Sequence, residues 1–203
     1  YPNTWKLIKT GNHYYYQDKK FKIKLNTKNV YSKGMFENVC LAIKVALDLN
    51  IDKKVIQKAL PFLSFEGRFQ YLNKGKIKNK LNRNELIMID GAHATADAQN
   101  LASYLKKIKI PKYGIWAMTK NKDPDLFIKQ LKGVFKKIIT MPIDNEVNSV
   151  SAQQLYKVAT ENKFNVEKSD NFAQALKKIS SKEKKLIVCF GSLYNCGNIL
   201  NKN

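Results

Sequence analysis

Apolar and polar positions alternate near the start of the chain, then switch to a longer period. Tyr14, Tyr15 and Tyr16, followed by Phe21-Lys22-Ile23-Lys24-Leu25 with every second residue apolar, predict antiparallel strands joined by a hairpin turning at residues 17–20. Over residues 35–49, Phe36, Val39, Ile43, Ala46 and Leu47 fall at helical spacing. A second short helix is expected at 53–60, capped by Asp52 and ended before Pro61. Residues 62–67 read as a linker into a new unit.

From there strands and helices take turns. A strand at 86–90 precedes a helix at 96–107. A strand at 114–118 precedes a helix with Asp123 as N-cap and Pro124 at its first position. A strand at 138–143 leads to a helix opened by Ser151, and a short strand near 165–167 to a helix opened by Asp170. The last strand, 186–190, runs into Gly191-Ser192 and a final short helix. This alternation predicts an α/β fold: a Rossmann-like, mostly parallel sheet flanked by helices and joined by right-handed crossovers. In a parallel sheet the loops that follow the strands share one edge. Here they carry Asp90 to His93, Thr119 to Asp123, residues 144–149, and Gly191-Ser192. A ligand site at that edge would hold a carboxylate, an imidazole, lysines and a hydroxyl.

Composition narrows the classes. The chain is 44% apolar, ample for a packed core, and no apolar run approaches the roughly 20 residues that span a bilayer. A membrane partner is therefore not expected. Cys40, Cys189 and Cys196 are odd in number with no CxxC spacing, and there are only two histidines, so a metal site made by this chain alone is not expected. Ordinary thiols fit a reducing cytoplasm. The net charge of +21 invites a charge-driven nucleic-acid-binding reading. Against it, Arg68 and Arg83 are the only arginines, and the lysines are spread among many asparagines, isoleucines and tyrosines. Such a surface raises charge without building a groove, though it would draw in small polyanions such as nucleotides or oligoglutamates.

Asp90-Gly91-Ala92-His93 lies between an apolar strand and a helix. Asp90 at the strand tip is placed either to accept from a ribose hydroxyl or to cap the turn with His93. Glu66-Gly67-Arg68-Phe69-Gln70, followed by Ile89-Asp90-Gly91-Ala92-His93, resembles the GR…DGAHN pair of folylpolyglutamate synthase and dihydrofolate synthase, enzymes of the Mur ligase superfamily. Four further segments keep that family's order. They are Glu37-Asn38 with its helix, Met118-Thr119-Lys120-Asn121-Lys122-Asp123, the proline-containing loop from Met141 to Ser149, and Cys189-Phe190-Gly191-Ser192-Leu193-Tyr194.

The resemblance implies the carboxyl-terminal part of an ADP-forming ligase. In such an enzyme ATP phosphorylates a folate or dihydropteroate carboxylate, and the amine of L-glutamate attacks the acyl phosphate. It implies that Arg68, Asp90 and Asn38 contact ATP, and that His93, Ser192 and Lys122 form the catalytic set. His93 and Ser192 would position glutamate or its acceptor, and Lys122 would meet phosphate or a glutamate carboxylate. Residues 1–64 would be the carboxyl-terminal remnant of the central ATPase domain, and 65–203 the glutamate-ligase domain.

The departures matter as well. No glycine starts a G-x-x-x-x-G-K-[ST] run, so the loop that cradles phosphates is absent from this chain. The family's HQ before the asparagine is Gly34-Met35 here, and its N-P after the histidine is Ala94-Thr95. The Mg2+ ligands have no counterpart and would lie in the central domain. The chain opens at Tyr1, so its true start is expected upstream. The fragment alone is therefore expected to be inactive, completed by a separate ATPase-domain chain or left as a degenerate, non-catalytic remnant.

Overall fold

The computed structural model describes residues 4–203, so residues 1–3 of the expected first domain lie outside the described residues. The chain divides into two compact units, Tyr1–Phe65 and Glu66–Asn203.

In the first unit, strands β1 (Trp5–Thr10), β2 (His13–Asp18) and β3 (Lys22–Lys24) form an antiparallel sheet in that order. The β2–β3 turn spans residues 18–21, one residue beyond the expected hairpin, because Asp18 takes the N–H groups of Lys20 and Phe21 on its side chain. β1 was not anticipated; its Trp5-Lys6-Leu7-Ile8 run alternates poorly. Helix α1 (Lys33–Asp48) starts where Ser32 Oγ accepts the Met35 N–H, and buries Met35, Phe36, Val39, Cys40 and Ile43. The Phe36 ring stacks on Tyr14 at 4.0 Å between centroids, which seats the helix on the sheet. Helix α2 (Lys53–Ala59) is capped by Asp52, as its sequence predicts, and runs on into a 3-10 turn, Leu60–Phe62, that includes Pro61.

The second unit holds a six-stranded sheet. Its strands are β4 (Gln70–Tyr71), β5 (Glu85–Asp90), β6 (Lys112–Trp116), β7 (Lys137–Thr140), β8 (Val166–Lys168) and β9 (Lys185–Phe190). The order is β4-β5-β9-β6-β7-β8, parallel throughout except for β4. The helices are α3 (Lys76–Lys80), α4 (Thr95–Leu105), α5 (Pro124–Lys129), α6 (Ala152–Glu161), α7 (Phe172–Ile179) and α8 (Leu193–Lys202). This is the expected α/β class, a mostly parallel sheet flanked by helices.

The chain steps in one direction from β5 through β6 and β7 to β8, then returns to insert β9 between β5 and β6. Right-handed crossovers must then put α4, α5 and α6 on one face and α7 on the other. The packing agrees. Ile87, Ile89, Ile115, Ile139, Ile187 and Cys189 meet Phe172, Ala175, Leu176 and Ile179 of α7, and Cys196 and Ile199 of α8. On the alternate face, Trp116 and Phe190 stack with Phe127 of α5.

Several boundaries differ from expectation. β7 stops at Thr140 rather than 143, since Pro142 has no N–H to continue a ladder. Asn171, not Asp170, caps α7: its side chain accepts the Gln174 N–H, and this start turns Phe172 into the core. β4 and α3 were not anticipated, being short elements of two and five residues. All three cysteines are free and buried. Among the described residues no helix is long and apolar enough to cross a membrane.

Candidate active site

Register sets the site. Asp90, Phe190, Trp116 and Thr140 are paired across β5, β9, β6 and β7, so these strands end level with one another. The loops beyond them enclose a cavity of about 410 Å³ lined by His93, Thr119, Asn121, Lys122, Glu146, Asn148, Ser192, Leu193 and Tyr194. The loops are laced together. Lys120 N–H donates to Asn148 O at 2.7 Å, and Val150 N–H to Met118 O at 2.8 Å. Ser149 Oγ accepts the Ile143 N–H at 2.7 Å.

Asp90 sits beneath this edge with 1% of its surface exposed. One carboxylate oxygen accepts the Phe69 N–H at 2.8 Å and the other the Ala92 N–H at 2.8 Å. Burial pushes its carboxyl up to about 6, against the pull of those two N–H groups and of Arg68. Of the two uses open to Asp90 from sequence, this geometry displays the turn cap. The same turn is closed by Gly91 N–H donating to Gly67 O at 2.6 Å.

Arg68 rides on that turn, half-buried, with Nη1 3.8 Å from Asp97 Oδ2. His93 Nδ1 is 3.9 Å from the same oxygen and 2.8 Å from Gly91 O. A carbonyl oxygen only accepts, so Nδ1 carries the hydrogen and the neutral ring keeps its lone pair on Nε2. Asp97, in the first turn of α4, therefore joins the two family motifs. Sequence reasoning missed it, although an acid in the first turn after the DGAH segment was a usable signal.

Ser192 is the N-cap of α8: its Oγ accepts the Tyr194 N–H at 3.1 Å, and only 3% of the residue is exposed. Its hydroxyl hydrogen is still free to donate. Lys122 forms no ion pair among the described residues and lines the cavity with Glu146. The structure thus gathers His93, Lys122 and Ser192 around one space, while Arg68 and Asp90 lie outside its lining and connect to it through Asp97 and the loop that carries His93. Asn38 lies in the first unit, on the exposed side of α1. Among the described residues no three His, Cys, Asp or Glu side chains group in a way that could hold a metal ion.

The family described as dihydrofolate synthetase, C-terminal domain, matches residues 73–202. The chain belongs to this family. No curated protein matches the sequence. Among solved structures, E. coli FolC in complex with DHPP and ADP superposes with a TM-score of 0.76 at 18% identity, covering 97% of this chain and 45% of its own. Mycobacterium tuberculosis folylpolyglutamate synthase complexed with ADP and AMPPCP gives 0.78 at 17%, covering 97% and 46%. The bifunctional folylpolyglutamate synthase/dihydrofolate synthase from Yersinia pestis, complexed with AMPPNP and Mn ion, gives 0.76 at 17%, covering 98% and 45%. These likenesses show the fold, and the chain spans a little under half the length of each. Gly191 precedes Ser192 at the end of β9. At φ +109, a Cβ there would lie 2.2 Å from Ala117 O and 2.8 Å from Trp116 Cδ1, so only glycine lets β9 turn into the loop that carries Ser192.

Proposed function

We propose that this chain is the glutamate-accepting part of an ATP-dependent ligase that adds L-glutamate to dihydropteroate or to a folate glutamate. In this reading Tyr1–Phe65 is a remnant of the ATPase domain and Glu66–Asn203 is the glutamate-ligase domain. The observation that carries it is the convergence of His93, Lys122 and Ser192 on one cavity at the ends of parallel strands, in a chain of this family.

ATP supplies the phosphoryl group that activates the acceptor carboxylate. The donors present fit an anionic cofactor: the Arg68 guanidinium offers a planar fork, and Lys122 is a mobile point charge. The Mg2+ ligands belong, in this reading, to the portion of the ATPase domain that this chain does not span.

Lys122 pairs with a carboxylate of the incoming glutamate, and Ser192 donates its hydroxyl hydrogen to the same anion. His93 Nε2 accepts from the glutamate nitrogen, holding it toward the acyl carbon. As the C–N bond forms, that nitrogen passes a proton to His93 Nε2, and the acyl C–O bond breaks to release phosphate.

The test is ADP release with dihydropteroate or folate and L-glutamate. The chain by itself is expected to release none, because the phosphate-cradling loop is not in it. Activity is expected when a separately produced ATPase-domain polypeptide is added. Robust turnover by this chain alone would overturn the reading.

A further inference from the structure

The cavity beyond the strand ends is lined by a base and an acid that neutralise nobody. Lys122 and Glu146 are both half-buried there, and among the described residues neither forms an ion pair, with the other or with anything else. The acid is the unexpected one. The chain has 16 acidic residues against 37 lysines and arginines, and a carboxylate in a cavity made for phosphate alone would repel its ligand.

The loop holds this acid in place. Glu146 N–H donates to Ile143 O at 3.3 Å, and Glu146 O accepts the Ser149 N–H at 3.0 Å. Its Oε1 accepts the Asn148 N–H at 2.8 Å. Asn148 O in turn accepts the N–H of Lys120, two residues before Lys122, at 2.7 Å, so the loops that carry the acid and the base are joined through main chain. Glu146 Oε2 makes no hydrogen bond among the described residues. One carboxylate oxygen therefore serves the loop, and the other keeps its lone pairs for a donor.

A ligand that satisfies both side chains carries both charges: a carboxylate for Lys122 and Ser192, and an ammonium for Glu146. Free amino acids have that pair of groups. A nucleotide phosphate has only the first. The cavity, about 410 Å³, is of the size that takes a small molecule.

We propose that Glu146 is a specificity-determining residue whose carboxylate takes the α-ammonium of the incoming amino acid, so that the cavity selects an amino acid over a plain dicarboxylate. The inference rests on the ligase reading for the use of that amino acid, and adds to it an acid that reading does not employ. An ammonium carries three N–H donors, so one meets Glu146 while another is directed at His93 Nε2. A charge-assisted contact of this kind is strong enough to decide between ligands that share every other group.

Calorimetric titration of this chain with L-glutamate and with glutarate, which has both carboxylates and no amine, tests it. The parent should bind L-glutamate at least about tenfold more tightly than glutarate, about 1.4 kcal/mol. In Glu146→Gln the amide oxygen can still accept the Asn148 N–H, so the loop is kept while the charge is removed. That variant should bind the two compounds alike, and glutarate at least as tightly as the parent does. Equal affinities in the parent, a preference that survives Glu146→Gln, loss of glutarate along with L-glutamate in that variant, or no binding of either compound to the parent would each overturn the proposal. ADP release after a separately produced ATPase-domain polypeptide is added distinguishes the two readings. A preference for L-glutamate that Glu146→Gln removes, without ADP release, leaves the amino-acid site standing and removes the ligase activity. ADP release with a KM for L-glutamate unmoved by Glu146→Gln does the reverse.

Discussion

The carboxylate of Asp90 reaches back 21 residues to accept the Phe69 N–H at 2.8 Å, while its second oxygen takes the Ala92 N–H at 2.8 Å. One buried acid therefore ties the turn that carries Arg68 to the loop that carries His93. That turn is costly by itself: Phe69 has φ +47 and Gly67 φ +67, both in the left-handed region. A residue expected to touch nucleotide thus places, through backbone, the arginine expected to touch it too.

A pH dependence follows from that burial. Between about pH 4, where a free aspartate ionises, and the value of about 6 that burial imposes, the folded chain keeps a proton at Asp90 that the unfolded chain has released. The folded state binds more protons there, so this group's contribution to stability falls as pH rises through the window. Asp90→Asn does not titrate. The parent's unfolding free energy minus that of the variant should fall between pH 4 and pH 7, by about 3 kcal/mol at most. Urea melts across that range check it, and a constant difference would refute the buried, protonatable acid.

Gly191→Ala should cost about 3 kcal/mol or more, from left-handed backbone strain added to overpacking against Ala117 O and Trp116. A thermal melt measures it. A stability within about 0.5 kcal/mol of the parent would show that the β9 turn relaxes in a way this geometry does not allow.

Arg68→Lys keeps the charge and removes the fork. In the reconstituted mixture it should lower ADP release at least about tenfold, chiefly through weaker ATP binding. Arg83→Lys is the control: Arg83 is exposed and precedes the first residue of β5, at the other end of the strand from Asp90, and should be silent. Equal effects from the two changes would mean that bulk charge, not geometry, recruits the nucleotide.

At the other end of the sheet, Lys185 and Glu85 are 1% and 0% exposed, 3.7 Å apart. Lys185 also donates to Ile179 O, and Glu85 accepts from Asn82, Ser180 and Ser181. Lys185→Met leaves a buried carboxylate without its cation and should cost about 3 kcal/mol. The double variant Glu85→Gln/Lys185→Met should lose less than the two single losses added together, as a double-mutant cycle by urea melts would reveal.

Much of the second unit was legible because its local signals are strong. Asp123 before Pro124 and Ser151 before Gln154 cap their helices as read. The strand-tip loops do gather His93, Lys122 and Ser192, since parallel strands leave no other edge for them. Other elements were hidden for equally physical reasons. β4 is two residues long and shows no period, and the N-cap of α3 is Gly75, which offers no capping side chain. The start of α7 is ambiguous in sequence, because Asp170 and Asn171 are both good caps and only the core position of Phe172 chooses between them.

The alternation of strands and helices, most helix starts and the ordered motifs that mark the family follow from local sequence, because periods and caps are interactions among near neighbours. Long-range packing alone settles that β9 lies between β5 and β6, that α7 covers the face opposite α5, and that Asp90 accepts the Phe69 N–H. Those facts join residues tens of positions apart. Strand order and the fate of a side chain at a strand tip depend on what packs against it, and the residues beside it in sequence carry no record of that.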